Sequence, residues 1–109
     1  MDITEQQIEQ WEDEHGTVAY RFVEDKPKIG AVLPHSSEWD GDNPTDEELP
    51  GTSTWETLQM AREYAQWSSG WIVAVGGSHV RWGQEAGERL LANATVLAIV
   101  EAAGVALSR

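Results

Sequence analysis

The chain contains no cysteine. That excludes disulfides and thiolate zinc centres and leaves the protein indifferent to the redox state of its surroundings. No apolar run approaches the roughly 20 residues that cross a bilayer as a helix. The opening residues, Met1-Asp2-Ile3-Thr4-Glu5, are acidic where a secretory leader is basic and then apolar. The expectation is a soluble, cytoplasmic protein that makes no membrane contact. Phenylalanine occurs once, against six tryptophans. Each tryptophan brings a large apolar body with one N–H that needs a partner, a combination suited to half-buried rims. Basic side chains are also scarce, seven Lys and Arg against 19 Asp and Glu, for a net charge of −12.

That charge is concentrated in the first half. Residues 1–50 carry 14 acidic and three basic side chains; the remainder carries five and four. A field of this sign repels nucleic-acid phosphate and anionic lipid and attracts basic protein surfaces. Solubility is the simplest use of such a surface. A second use is a decoy that mimics DNA toward a basic, nucleic-acid-binding protein. With 109 residues, the chain is expected to form one domain, 1–109, as a monomer or homodimer.

Helical signals open the chain. Thr4-Glu5-Gln6-Gln7 has the form of a capping box, Ile8, Trp11 and His15 fall on one stripe, and Gly16 is a natural stop. Residues 17–23 then read as a strand, with Val18, Tyr20 and Phe22 on one face and Arg21 on the other. Lys26-Pro27-Lys28 turns the chain toward a short second strand at Ile29–Leu33, ending at Pro34. Residues 35–51, rich in Ser, Asp, Gly, Asn and Pro, read as a long loop. Ser53-Thr54-Trp55-Glu56 has the form of a second capping box, predicting an amphipathic helix over 54–69 with Trp55, Leu58, Ala61 and Ala65 inward. Trp71 to Val75 is a continuous apolar run, the pattern of a strand covered on both faces. Gly76-Gly77 reads as a hairpin turn before an alternating Ser78–Trp82 strand. Residues 85–107 hold seven alanines and fit either one Ala-rich helix or two strands, Glu88–Leu91 and Thr95–Val100. Gly87, Asn93 and the β-branched Thr95, Val96, Ile99 and Val100 favour strands.

Most chemical motifs are excluded. His15, His35 and His79 stand at no ligand spacing, so no metal site is expected. Asp40-Gly41-Asp42-Asn43 has the opening of a calcium loop, but its twelfth position is Gly51 where a glutamate is required. Gly76-Gly77 lacks the lysine of a phosphate loop, and neither Ser36 nor Ser53 has a base at recognisable spacing.

One constellation remains. Arg21 lies in an early strand, Thr52-Ser53-Thr54 at the expected start of the central helix, and Glu85 and Glu88 at or before a late strand. This order, with Ala61-Arg62-Glu63-Tyr64-Ala65 on a helix and an apolar strand directly after, resembles the ADP-ribosyltransferase-like superfamily across roughly residues 17–100. The resemblance implies a split, strongly curved sheet with a cleft for NAD. It implies that Arg21 holds the diphosphate, Ser53 braces the cleft and Glu88 bonds the nicotinamide ribose, with Glu85 as the second acid. Tyr64 or Trp71 would supply an aromatic face. The family's paired glutamates are separated by one residue, whereas Glu85 and Glu88 are separated by two.

The expected architecture is α+β: a small curved antiparallel or mixed sheet packed by one central amphipathic helix and an N-terminal helix. Two functions from different classes follow. One is binding or processing of NAD or ADP-ribose, with no further cofactor required. The other is a non-enzymatic acidic inhibitor or adaptor, of the viral or mobile-element type, that blocks a basic protein. It would act through Trp39, Asp40, Asp42, Glu47 and Glu48 together with the helix around Glu9–Glu14. Helix at residues 85–100 would remove the structural basis of the nucleotide reading.

Overall fold

The computed structural model describes residues 3–33, 51–83 and 85–104. Helix α1 (Glu5–His15) starts where expected. The Thr4 hydroxyl accepts from the Gln7 backbone N–H at 3.2 Å. The helix stops at Gly16, whose φ of 99° suits only glycine and whose N–H donates to the Glu12 carbonyl at 2.8 Å. Trp11 is buried and Ile8 and His15 partly so, as the stripe requires.

Strand β1 (Thr17–Val23) follows, also as expected. The predicted strand at 29–33 reduces to one antiparallel bridge, Val32 to Thr95. Hydrogen bonds from Gly30 N to Val96 O and from Leu33 N to Ala94 O flank it. The long loop falls outside the described residues except for Gly51.

The second capping box is not used. Thr52–Trp55 forms strand β2, and the central helix, α2, is shorter than expected, Leu58–Ala65, capped by Thr57 accepting from Met60 N at 3.2 Å. The reason is pairing across the sheet. All four residues of β2 align with the start of β4 (Glu88–Gly104), Thr52 opposite Leu91 through Trp55 opposite Glu88. Thr52 and Thr54 are wholly buried, and the Thr54 hydroxyl donates to the Arg89 carbonyl at 2.6 Å. Buried β-branched residues with a ladder to join outweigh a local capping preference, so the cap passes to the next threonine. The inward stripe survives: Ala61 and Ala65 are fully buried and Leu58 packs against their cluster.

Strand β3 (Ser69–Trp82) contains the apolar run, and Ile72 through Val75 are completely covered. The predicted hairpin at Gly76-Gly77 is absent, because β3 runs straight through it with a register shift between Gly76 and Ser78. The two glycines admit close neighbours instead. A Cβ at Gly76 would lie 2.8 Å from that of His15, and one at Gly77 would lie 2.5 Å from the Ala92 carbonyl oxygen. The ambiguous C-terminal half is strand, as the β-branched residues favour. The two expected pieces are parts of the single long β4, joined at Asn93, whose φ is 56°.

All pairings are antiparallel, and the order β1-β2-β4-β3 closes into a barrel. The fold is therefore α+β, a small curved sheet packed by two helices. Four strands enclose too little space for a helix, so both helices lie outside. There Trp11, Ala61 and Ala65 cover Ile72, Ala74, Ala98 and Val100. The inner face is filled by Ala19, Val73, Val75, Leu91, Ala94 and Val96. Among the described residues no helix is long and apolar enough to cross a membrane.

Gly70 tests this packing. A Cβ there meets the Val23 carbonyl and the Phe22 ring, so Gly70→Ala is expected to cost about 1–3 kcal/mol through overpacking. The urea midpoint should fall with little change in slope.

Candidate ligand site at the barrel seam

Closure of the barrel is uneven. β1 matches β3 over seven consecutive pairs, whereas β1 and β2 share one, Tyr20 with Trp55. Side chains continue the seam where the ladder stops. Arg21 Nη1 donates to the Ser53 carbonyl at 2.6 Å, and Ser53 Oγ donates to Glu88 Oε2, also at 2.6 Å. Three residues far apart in sequence thus meet on one serine, linking β1 to β2 and β2 to β4.

Each reaches that point from its strand position. Tyr20 faces outward with Val18 and Phe22, so Arg21 starts from the inner face and approaches the seam from inside. Trp55 shares the outer face with Tyr20, and Glu88 stands opposite Trp55. The Glu88 carboxylate is therefore on the outer side, and the residue is only 8% exposed. Its other oxygen, Oε1, accepts from the Glu85 backbone N–H at 3.4 Å. Gly83 lies against the carboxylate so closely that a Cβ there has no room, and Met60 of α2 covers Gly87 in the same way. Gly87 itself has a φ of 82°. The turn before β4 is thus shaped around the Glu88 side chain.

The remaining predicted residues divide. Glu85 is in this turn, with its side chain exposed and its N–H directed at Glu88. Tyr64 lies near the site, since its ring stands 5.4 Å from that of Trp55 and 6.5 Å from that of Phe22. Trp71 is elsewhere. It pairs with Val23 on β1 and carries the Lys26 ammonium over its ring at 4.8 Å. Trp39, Asp40, Asp42, Glu47 and Glu48 lie outside the described residues. Among the described residues no group of three or more His, Asp or Glu is placed to hold a metal ion.

Sequence reasoning missed Trp55 as a site residue because the helical reading put it in the core. The alternation of Thr52 and Thr54 around Ser53 was the available signal for a strand, and a strand places Trp55 beside Glu88. Burial also raises the pKa of the neighbouring Tyr20 hydroxyl above its ordinary value.

The arrangement offers a nearly buried carboxylate oriented by a serine hydroxyl and a backbone N–H, with Trp55 opposite it on β2, Tyr64 against Trp55, and a guanidinium on the same serine from the inner face. Such a carboxylate can stabilise positive charge developing in a bound group. The chain matches no protein-family model, no curated protein and no solved structure.

Ser53 is the joint of this cluster. Ser53→Ala removes the hydroxyl donor from a nearly buried carboxylate and should cost about 1–3 kcal/mol in denaturant unfolding. In a double-mutant cycle with Glu88→Gln, the two losses should be clearly non-additive.

Proposed function

We propose that the protein binds an NAD- or ADP-ribose-type nucleotide at Arg21, Ser53 and Glu88, in the manner of the ADP-ribosyltransferase-like superfamily. The observation that carries this reading is the 2.6 Å hydrogen bond from Ser53 Oγ to Glu88 Oε2, with Arg21 bonded to the same serine. Arg21 from the inner face and Glu88 from the outer face both bond Ser53, the residue for which the resemblance implies a bracing role in the cleft. Strand at Glu88–Gly104 also preserves the condition that this reading required.

In this reading Arg21 meets the diphosphate at the seam, where a phosphoryl oxygen competes with the Ser53 carbonyl for its planar fork. Glu88 faces the ribose. When the ligand is NAD, the bond from ribose to nicotinamide breaks, the base leaves with the bonding pair and the carboxylate stabilises the oxocarbenium-like sugar. Water then adds to its C1 and loses a proton to give ADP-ribose. Trp55 and Tyr64 offer flat surfaces for the departing ring. Glu85 acts through its backbone N–H by holding Glu88.

NAD or ADP-ribose at saturating concentration is expected to raise the melting temperature. Arg21→Lys should weaken that shift by replacing a fork with a point charge. Glu88→Gln should retain the shift and abolish any release of nicotinamide. Absence of a ligand-dependent shift in the unmodified protein would refute the reading.

A second reading is favoured by a separate observation. Trp67 is 84% exposed and Tyr64 62% exposed at the end of α2, and Glu5, Glu9, Glu12, Asp13 and Glu14 are all exposed on α1. Exposed aromatics on a strongly acidic protein suit a basic protein partner, with the rings as anchors and the carboxylates steering approach. In that case pulldown of the basic partner should weaken steeply with salt, and Trp67→Ala should lower affinity with no change in the nucleotide response.

A further inference from the structure

The β3–β4 turn carries a second cluster that the seam does not use. Arg89 follows Glu88 on β4, so its side chain points to the opposite face of the strand. It stands between Thr54 on β2 and Trp82 on β3. Its guanidinium carbon lies 4.2 Å from the centre of the Trp82 ring, and His79 meets the same ring edge-on at 5.4 Å. Arg81, the neighbouring residue of β3, donates from Nη1 to the Trp82 carbonyl at 3.2 Å. A chain with seven Lys and Arg therefore places one arginine and a histidine against an indole that is itself 49% exposed, with Arg81 bonded to the backbone beside it.

Arg89 differs from the other arginines in what its side chain touches. Arg21 bonds the Ser53 carbonyl, and Arg62 makes three hydrogen bonds with Glu101 at 2.6–3.2 Å. For the Arg89 side chain the structure gives, among the described residues, a cation–π contact with the Trp82 ring and no ion pair, and its buried Nε, like that of Arg81, has no hydrogen-bond partner. With 19 carboxylates on the chain, an arginine needed only for charge balance would stand beside one of them. The indole instead holds the guanidinium by a cation–π contact at 4.2 Å, which leaves its terminal N–H groups to serve as donors to an oxyanion.

We propose that Arg89, held against the Trp82 ring that His79 also meets, binds the phosphoryl group of a small molecule. The planar fork matches phosphoryl geometry with two parallel N–H donors, and the second face of the half-exposed indole can receive a ring attached to that group. A nucleic-acid strand is a poor candidate, because its repeated phosphates would face a protein of net charge −12. The site lies on the other face of β4 from Glu88 and does not depend on the nucleotide reading of the seam.

The test titrates inorganic pyrophosphate into the full chain while the tryptophan indole N–H and His79 ring resonances are followed by NMR. Sodium chloride at matched ionic strength and acetate serve as controls. The expected result is a saturable shift confined to Trp82 and His79, with Trp11 unmoved. Arg89→Lys, which keeps the charge and loses the fork, should weaken binding by about tenfold or more, and Arg89→Gln should abolish it. The melting temperature of each variant, measured alongside, reports folding, and Arg89→Lys decides the matter if Arg89→Gln does not fold. Three results would each overturn the proposal: a response no larger than that to sodium chloride, an equal response to acetate, or unchanged pyrophosphate affinity in Arg89→Lys.

Discussion

The barrel depends on how β1 meets β2. Three of its four junctions are ordinary ladders, but here one residue pair, Tyr20 with Trp55, is all the backbone supplies. The Arg21 guanidinium on the Ser53 carbonyl extends that contact, and the Ser53 hydroxyl on Glu88 passes it to β4. A charge-assisted hydrogen bond of this length is roughly twice as strong as a neutral one, which suits a position where ladder bonds are few. The same bonds orient the carboxylate. Structural closure and the candidate chemistry therefore share atoms, so a substitution at Ser53 affects both.

Small residues make the rest possible. The inner face relies on Ala19 and Ala94 beside Val73, Val75 and Val96, and the outer on Ala74 and Ala98 of the sheet against Ala61 and Ala65 of α2. Alanine contributes little burial per residue, but in a four-stranded barrel anything larger would separate strands that must curve sharply. Glycine acts similarly at Gly76, which seats His15 of α1, and at Gly83, which makes room for Glu88. The large apolar area comes from tryptophan at the margins, where Trp11 and Trp55 pack between helix and sheet.

The sequence disclosed local features well. The Thr4 cap, the Gly16 stop, the alternation of β1 and the covered run at Ile72–Val75 each depend on neighbours within a few residues. Arg21, Ser53 and Glu88 are linked by hydrogen bonds, but no spacing along the chain marks them as a group. Features decided by distant pairing were not legible. Thr52–Trp55 looked like a helix start because its partner strand lies more than thirty residues away. Gly76-Gly77 looked like a turn because close approach by α1 and β4 leaves no local mark. The Trp82–Arg89 stack depends on the β3–β4 register, which four register shifts alter along its length. No count of residues along the chain could supply it.

Closure has one more consequence. In an open sheet the two outermost strands expose unpaired N–H and C=O groups to which other chains can add. Here every strand among the described residues has a neighbour on both sides, though β1 and β2 share a single pair, and the 30–33 segment occupies part of β4 beyond the end of β2. Among the described residues the strand edge still without a ladder is therefore confined to the β1–β2 seam, the one place where another chain could add.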